Sequence, residues 1–259
     1  MDDAFIQLED VWKSFDGTAV LRGVSLAVRR GETLCVIGES GCGKTVLLKH
    51  VIGLVRPDRG RVCFDGRDLS TLSAREMIAV RVRFGMVFQR GALFDSLTVG
   101  ENVAFPLREH TRLTGDEIRR RVREKLSLVG LAGIESKRPA ELSGGMQKRV
   151  ALARAIALEP EVVLYDEPTT GLDPIMADVI NELILRTHDR MKTTAVVVTH
   201  DMTSVDKVAD RVVMLHDGEI IIDGPPEVVR ASTDPVVRQF IEGRAGSRIG
   251  TLNQAGEHA

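Results

Sequence analysis

Aromatic residues are scarce, with eight Phe, one Tyr and one Trp in 259 residues. Few positions can therefore stack on a flat ligand, and an aromatic lying outside an apolar alternation becomes a candidate contact. Cysteine is scarcer still. Cys35, Cys42 and Cys63 are odd in number and show neither C-x-x-C spacing nor a metal-ligand pattern with histidine, which excludes a disulfide framework and points to three reduced thiols. Long apolar runs are missing too: none approaches the ~20 residues that span a bilayer, and Met1-Asp2-Asp3 is acidic where a secretory leader is basic. The expectation is a soluble chain that stays in the cytosol. Net charge is nearly absent, at −2 from 35 basic and 37 acidic residues, so the overall balance argues for no nucleic-acid partner and no anionic membrane surface. Neither an internal repeat nor a low-complexity tract is present.

What the chain does have is enough apolar sequence, 43%, to bury a substantial core as one large domain or a domain with an inserted lobe. Residues 5–11, 24–28, 33–37 and 61–64 read as short strands separated by turns such as Asp16-Gly17 and Asp65-Gly66. From about 92 to 158 the pattern is mainly helical, a lobe inserted in what surrounds it. Beyond it, the apolar runs 161–165 and 194–199 alternate with helical stretches near 174–190 and 202–209, the signature of a parallel βαβ sheet. Residues 211–215 and 218–223, divided by Asp217-Gly218, read as a closing hairpin. Gly246 to Ala259 have little to bury and are expected to be loose.

GESGCGKT, residues Gly38, Glu39, Ser40, Gly41, Cys42, Gly43, Lys44 and Thr45, fits G-x-x-x-x-G-K-[ST] between the strand TLCVI and a helix beginning near Lys44. Glycines let backbone N–H groups surround a β-phosphate, Lys44 adds a cation toward the β and γ oxygens, and the Thr45 hydroxyl is a ligand for Mg²⁺. A chance match in a chain this long is on the order of one in a hundred. VVLYDEP then places Asp166 and Glu167 at the end of an apolar strand. Because successive strand side chains point to opposite sides, the two roles should divide. Asp166 would hold Mg²⁺ and Glu167 would polarise the water that attacks the γ-phosphate; an ordinary acidic turn before Pro168 is the plain alternative.

The runs TLCVI, GMVF, VVLY and AVVVT end in Gly38, Gln89, Asp166 with Glu167, and His200. Four strands would thus deliver polar groups to one carboxyl edge, where open α/β sheets bind ligands. Gln89 could reach the Mg²⁺ or the attacking water, and His200 could sense the γ-phosphate. Phe15 lies upstream of the phosphate loop, outside an obvious core alternation. It is either a core residue or the ring that stacks on a base such as adenine.

ELSGGMQKRVALARAIA, residues 141–157, opens on Ser143, Gly144 and Gly145 before a helical pattern, a hydroxyl and bare N–H groups at the positive end of a helix dipole. The phosphate loop already has Lys44, and the inserted lobe should hold this second anion site away from it. The economical solution is a second copy of the chain packed head to tail, each SGG turn capping the γ-phosphate held by the other's Lys44. Asp173 in TGLDP is placed to communicate across the same seam, or to cap a helix before Pro174; both can hold. The run Arg119-Arg120-Arg121-Val122-Arg123, with Glu117 and Glu124 at helical distance, reads as a solvated helix face rather than a binding patch.

In this order GESGCGKT, Gln89, LSGGMQ, VVLYDEP, GLDP and His200 resemble the nucleotide-binding subunit of ABC transporters over residues 5–230. KTVLLKHVIGL (44–54), FQRGALFDSLTVGENVAFPLREH (88–110) and DPVVRQFIEG (234–243) are similar to the ATPase of Mla-type, MCE-associated phospholipid transporters. The resemblance implies an α/β fold with a P-loop NTPase (RecA-like) core and parallel sheet, an antiparallel β subdomain and an inserted α-helical subdomain, in one ATPase domain over 5–243 with a tail from 244 to 259. It implies ATP and Mg²⁺, and a homodimer beneath two transmembrane permease subunits on the cytoplasmic face of the bacterial inner membrane. Further implied partners are an MCE-domain lipid-binding protein and a small STAS-domain protein. Gly91 to Phe94 would meet the permease, and Pro235 to Gly243 would reach the partner ATPase. Met146 replaces a common Gln and Glu39 a common Pro; neither change removes a phosphate ligand. The competing readings are an importer ATPase for amino acids or another small solute, and a non-transport ABC ATPase acting on DNA or ribosomes. A P-loop kinase or GTPase would leave SGG unexplained and lacks N-K-x-D.

Overall fold

The computed structural model describes residues 4–244. Its strands are β1 (Ala4–Phe15), β2 (Thr18–Arg29), β3 (Thr33–Ile37), β4 (Arg59–Phe64), β5 (Arg67–Asp68), β6 (Phe84–Val87), β7 (Val162–Asp166), β8 (Thr194–Val198), β9 (Arg211–His216) and β10 (Glu219–Gly224). The helices are α1 (Lys44–Val51), α2 (Ala74–Val82), α3 (Val99–His110), α4 (Gly115–Leu128), α5 (Gly144–Ala155), α6 (Pro174–Met191), α7 (Met202–Val208), α8 (Pro226–Arg230) and α9 (Pro235–Ile241). The expected loose segment Gly246–Ala259 and the acidic start Met1-Asp2-Asp3 lie outside the described residues.

Two sheets form. A six-stranded sheet runs β10-β9-β3-β8-β7-β6, parallel from β9 to β6 with β10 antiparallel at its edge, and a four-stranded antiparallel sheet runs β2-β1-β4-β5. The strands β3, β7 and β8 are buried along their whole length, which is why they read as unbroken apolar runs. Alternation divides their side chains between two cores. Leu34, Val36, Val162, Leu164, Val196 and Val198 face the antiparallel sheet, α1 and α2. Cys35, Ile37, Val163, Tyr165, Ala195 and Val197 face α3 to α7. Each fully buried Leu or Val contributes about 1.5–3 kcal/mol by leaving water, so this double-sided packing is what holds the sheet's carboxyl edge in place.

Three of the helices start on reciprocal caps, Ser73 with Glu76, Thr98 with Glu101 and Thr114 with Glu117. Hydrogen bonds from Ser73 and Arg67 push the Glu76 carboxyl down to about 2. Over residues 92–158, where a mainly helical pattern is expected, the helices α3, α4 and α5 begin at Val99, and their Val103, Leu107, Leu126 and Val150 join the core of the parallel sheet. The Arg119–Arg123 stretch lies on α4 with Arg119, Arg120 and Arg123 exposed and Val122 facing in, as a solvated face requires. At the amino edge of the sheet Arg30 and Arg83 share Glu161 and Asp65, fastening the two sheets together far along the strands from the site.

Two expectations are corrected. The first hairpin is longer than 5–11 and 24–28: β1 and β2 each run 12 residues, and register shifts between Leu8 and Val11 and between Val11 and Lys13 break the alternation along β1, as Gly23 at φ 70° does in β2. The helix α2 follows directly on the Ser73 cap in a region for which no helix was expected.

Candidate functional site: a nucleotide edge

The loop Gly38–Gly43 leaves β3 and feeds α1 with Gly43 in the left-handed region, φ 107°. Gly38 has no room for a side chain, since a Cβ there would lie 2.2 Å from the Leu215 carbonyl oxygen and 2.8 Å from Cys42 Sγ. The first turn of α1 holds no acidic residue, and its N-cap makes no side-chain hydrogen bond, so its N–H groups face a site suited to an anion. Lys44, 6% exposed, donates to the carbonyl oxygens of Gly38 and Glu39 at 2.8 Å each. Its ammonium is thus folded over the loop, 3.9 Å from Glu167 Oε1. Glu39 and Ser40 lie in the loop itself, with Glu39 contributing its backbone oxygen to Lys44 and, at 3.3 Å, to the Cys42 N–H. Gly41 also adopts a positive φ and has open space where a Cβ would be. Burial pushes the Cys42 thiol up, against the opposing effect of Lys44.

Thr45 Oγ1 donates to Asp166, 2.9 Å from Oδ1 and 3.1 Å from Oδ2. Burial raises the Asp166 carboxyl above the usual carboxylate range; the Thr45 bond and the nearby Lys49 and Lys44 oppose that, while Glu167 adds to it. A hydroxyl and a carboxylate side by side form a small, all-oxygen donor set. That suits Mg²⁺, a hard cation that keeps several waters and phosphate oxygens and takes one or two protein ligands.

Glu167 has different partners. It sits one residue past β7 at φ 50°, a left-handed conformation uncommon for a side-chain-bearing residue and of the kind found where structure over-determines a site. Its backbone N–H donates to the Val198 carbonyl at 2.9 Å. Its Oε2 accepts from Thr170 Oγ1 at 2.9 Å and lies 2.8 Å from His200 Nδ1, at the end of β8. Asp166 and Glu167 thus have separate hydrogen-bond partners, Thr45 for the first and Thr170 with His200 for the second, while both lie near the Lys44 ammonium; Glu167 stands outside β7 at positive φ, so strand alternation does not set its direction.

Gln89 lies two residues beyond β6 and is exposed. The loop that follows it is held from α5, where Arg154 donates to the carbonyls of Ala92 at 2.7 Å and Gly91 at 2.9 Å. Further along, Asn102 grips the Phe94 backbone on both its N–H and its carbonyl. Phe15 stands at the tip of the β1–β2 hairpin, 44% exposed, with Lys13 Nζ 5.3 Å from its ring centroid, which excludes the core alternative.

Ser143 is the N-cap of α5; its oxygen accepts from the Met146 N–H at 3.3 Å, leaving its own hydrogen free to point elsewhere. Ser143 and Gly144 are exposed, but Gly145 is buried, and a Cβ on it would meet Met176 Cε at 2.8 Å. The anion-facing part of this turn is thus narrower than the three residues together. Asp173 caps α6 by accepting from the N–H groups of Ile175 and Met176 at 3.0 Å, so the capping reading is realised. Two residues near the site were not foreseen. Lys148 on α5 is 8% exposed and donates to the carbonyls of Pro168 and Thr170, and Thr170 reaches Glu167 as above. Nothing local in sequence joins position 148 to 170; the one available sign was a lysine on a helix otherwise turned to the core.

The described residues contain no helix long and apolar enough to cross a membrane. The family described as ABC transporter matches residues 21–170. Among curated proteins, the chain is 44% identical over 252 residues to a probable ribonucleotide transport ATP-binding protein, mkl, of Mycobacterium tuberculosis, covering 97% of this chain and 69% of that one. It is 41% identical over 253 residues to the intermembrane phospholipid transport system ATP-binding protein MlaF of Escherichia coli, covering 98% of this chain and 94% of MlaF. Among solved structures, the dimeric post-hydrolysis state of the ATP-binding cassette MJ0796 bound to ADP and Pi is similar with TM-score 0.80 and 33% identity, over 85% of this chain and 98% of that one. CbiO1 from Clostridium perfringens, part of the transporter complex cbiONQ, is similar with TM-score 0.81 and 32% identity, over 98% and 100%.

Proposed function

Since the chain belongs to the ABC transporter family and is an ATPase of it, we propose that it supplies the work for moving phospholipid between bacterial membranes. The observation that carries the lipid reading is the similarity to MlaF across 94% of that protein's length. In this reading residues 5–243 form one ATPase domain with its helical lobe at about 92–158. Two copies close head to tail on two ATP molecules beneath a pair of permease subunits, peripheral on the cytoplasmic face of the inner membrane. An MCE-domain protein and a STAS-domain protein complete the assembly.

Gly38 to Gly43 wrap the phosphates with backbone N–H groups, and Lys44 exchanges its carbonyl partners for phosphate oxygens. Mg²⁺, when bound, would neutralise charge building on the phosphates; Thr45, Asp166 and Gln89 are the residues that would hold it. Glu167 takes the proton of the attacking water, and His200 fixes the orientation of that carboxylate. Phe15 stacks on the adenine. Ser143 and Gly144 of the second copy approach the γ-phosphate, with Gly145 letting α5 pack close to α6, and Asp173 ties that seam to the catalytic strand end. Exposed Phe94 and Phe105, with ring centroids 4.9 Å apart, give the loop after Gln89 an apolar surface for the permease. The segment Pro235 to Gly243 reaches the other copy.

The ribonucleotide named for the mycobacterial relative supports a second reading, a small-solute transporter. Purifying the chain from membranes with its bound partners and identifying the co-purified molecules by mass spectrometry separates the two. Phospholipid together with an MCE-domain protein is the expected result; a soluble solute-binding protein without lipid overturns it.

A further inference from the structure

Lys148 has an unusual position for a lysine. Its side chain is 8% exposed, on the helix that begins at Ser143, and its ammonium donates to the carbonyls of Pro168 at 2.8 Å and Thr170 at 2.6 Å. Those two carbonyls flank Thr169 in the turn that follows Glu167. Burial pulls the Lys148 ammonium below the ordinary lysine range while Glu167 acts the other way, so the cation depends on this turn for its partners. From Thr170 the contacts continue: its hydroxyl donates to Glu167 Oε2 at 2.9 Å, the oxygen that also meets His200.

We propose that Lys148 is a positioning residue through which α5 sets the carboxylate of Glu167 in its own chain, by way of Thr170. The helix α5 is a rigid rod. Any shift of its Ser143 end is carried to the Lys148 ammonium, from there to the Pro168–Thr170 turn, and so to the hydroxyl that holds the catalytic carboxylate. In a head-to-tail pair this end of α5 caps the triphosphate of the other copy. Occupancy of one nucleotide site therefore reaches the general base of the second by way of Lys148 and Thr170. The inference rests on the proposed role of Glu167 and on the two-copy arrangement.

The test uses the purified full-length protein, with steady-state ATP hydrolysis against ATP concentration and a fluorescent ATP analogue for affinity. Lys148→Met keeps the aliphatic stem and removes the charge; Thr170→Val removes the hydroxyl at nearly constant shape. Each should lower kcat about tenfold, leave nucleotide affinity within about twofold and bring the Hill coefficient toward one. Thr170→Ser should keep wild-type values. The double variant should be no worse than the poorer single one, since both cut one link. If Lys148→Met fails to fold, Thr170→Val alone decides. Wild-type kcat and Hill coefficient in folded Thr170→Val overturn the proposal, as does a double variant whose losses multiply. Glu167→Gln serves as the reference: if it hydrolyses normally the reading of the site itself fails, whereas if it is inactive and Thr170→Val is unimpaired only the link through Lys148 fails.

Discussion

His200 Nδ1 lies 2.8 Å from Glu167 Oε2 across the gap between two neighbouring parallel strand ends. The carboxylate can only accept, so the imidazole donates from Nδ1, and this leaves Nε2 as the ring nitrogen that can meet a ligand. Glu167 is 12% exposed and His200 52%, a part-buried base held by a partner that solvent can reach.

Removing the base while keeping its shape gives the first prediction. Glu167→Gln should lower kcat at least a hundredfold, the usual weight of a general base, while ATP still binds. An ATP-bound dimer should then accumulate with Mg²⁺, measured by light scattering after size exclusion. A variant that stays monomeric with ATP and Mg²⁺ contradicts the two-copy arrangement.

Asp166 gives a prediction about stability and pH. Its carboxyl is raised in the folded chain, so the folded state holds the proton more tightly than the unfolded one, and stability falls as pH rises through the raised value. Asp166→Asn removes that cost. Its Tm should therefore rise at pH 7.5, and the gain should vanish below about pH 4, where the carboxyl is protonated in the unfolded chain too. Hydrolysis should be lost at the same time. Calorimetry at the two pH values checks the first part, and an unchanged or lower Tm at pH 7.5 refutes it.

The three thiols should separate by environment. Burial raises all of them, Cys35 most, and leaves little thiolate at pH 7. Labelling of Cys42 should be slow, accelerate with pH, inactivate the enzyme and be blocked by ATP. Cys63 should label without loss of activity, and Cys35 should stay unlabelled in the folded chain. Peptide mapping by mass spectrometry with and without ATP reads each site.

Phe15 offers a test with little effect on folding, because it stands at the hairpin tip and belongs to neither apolar core. Phe15→Ala should weaken ATP binding about tenfold and leave Tm unchanged, while Phe15→Trp retains affinity. Equal affinity in Phe15→Ala assigns the stacking role elsewhere.

Much of the site was legible because its chemistry is written in short local runs. GESGCGKT carries its own loop geometry, and an apolar strand followed by Asp166 and Glu167 places both carboxylates at a sheet edge whatever the rest of the chain does. The parallel strands were readable for the same reason: burial on both faces leaves few polar residues in them. The long β1–β2 hairpin was harder, since register shifts after Leu8 and Val11 and the left-handed Gly23 interrupt the two-residue alternation that a half-buried strand otherwise shows. The helix α2 carried a readable start, Ser73 with Glu76 three residues on, but its periodicity is weak. Lys148, Thr170 and the φ of Glu167 were out of reach. They are brought together by the packing of α5 against the turn after β7, and no short-range pattern records that.

The helix α5 holds Ser143 at one end, Lys148 near its middle and Arg154, with its grip on Gly91 and Ala92, at the other. Its 12 residues span about 18 Å, and each residue adds about 100° of rotation. The three side chains are therefore geared to one another by angle as well as by distance. A single residue inserted between Gln147 and Lys148, or between Lys148 and Arg154, would leave every motif intact and still throw the mechanism out of phase.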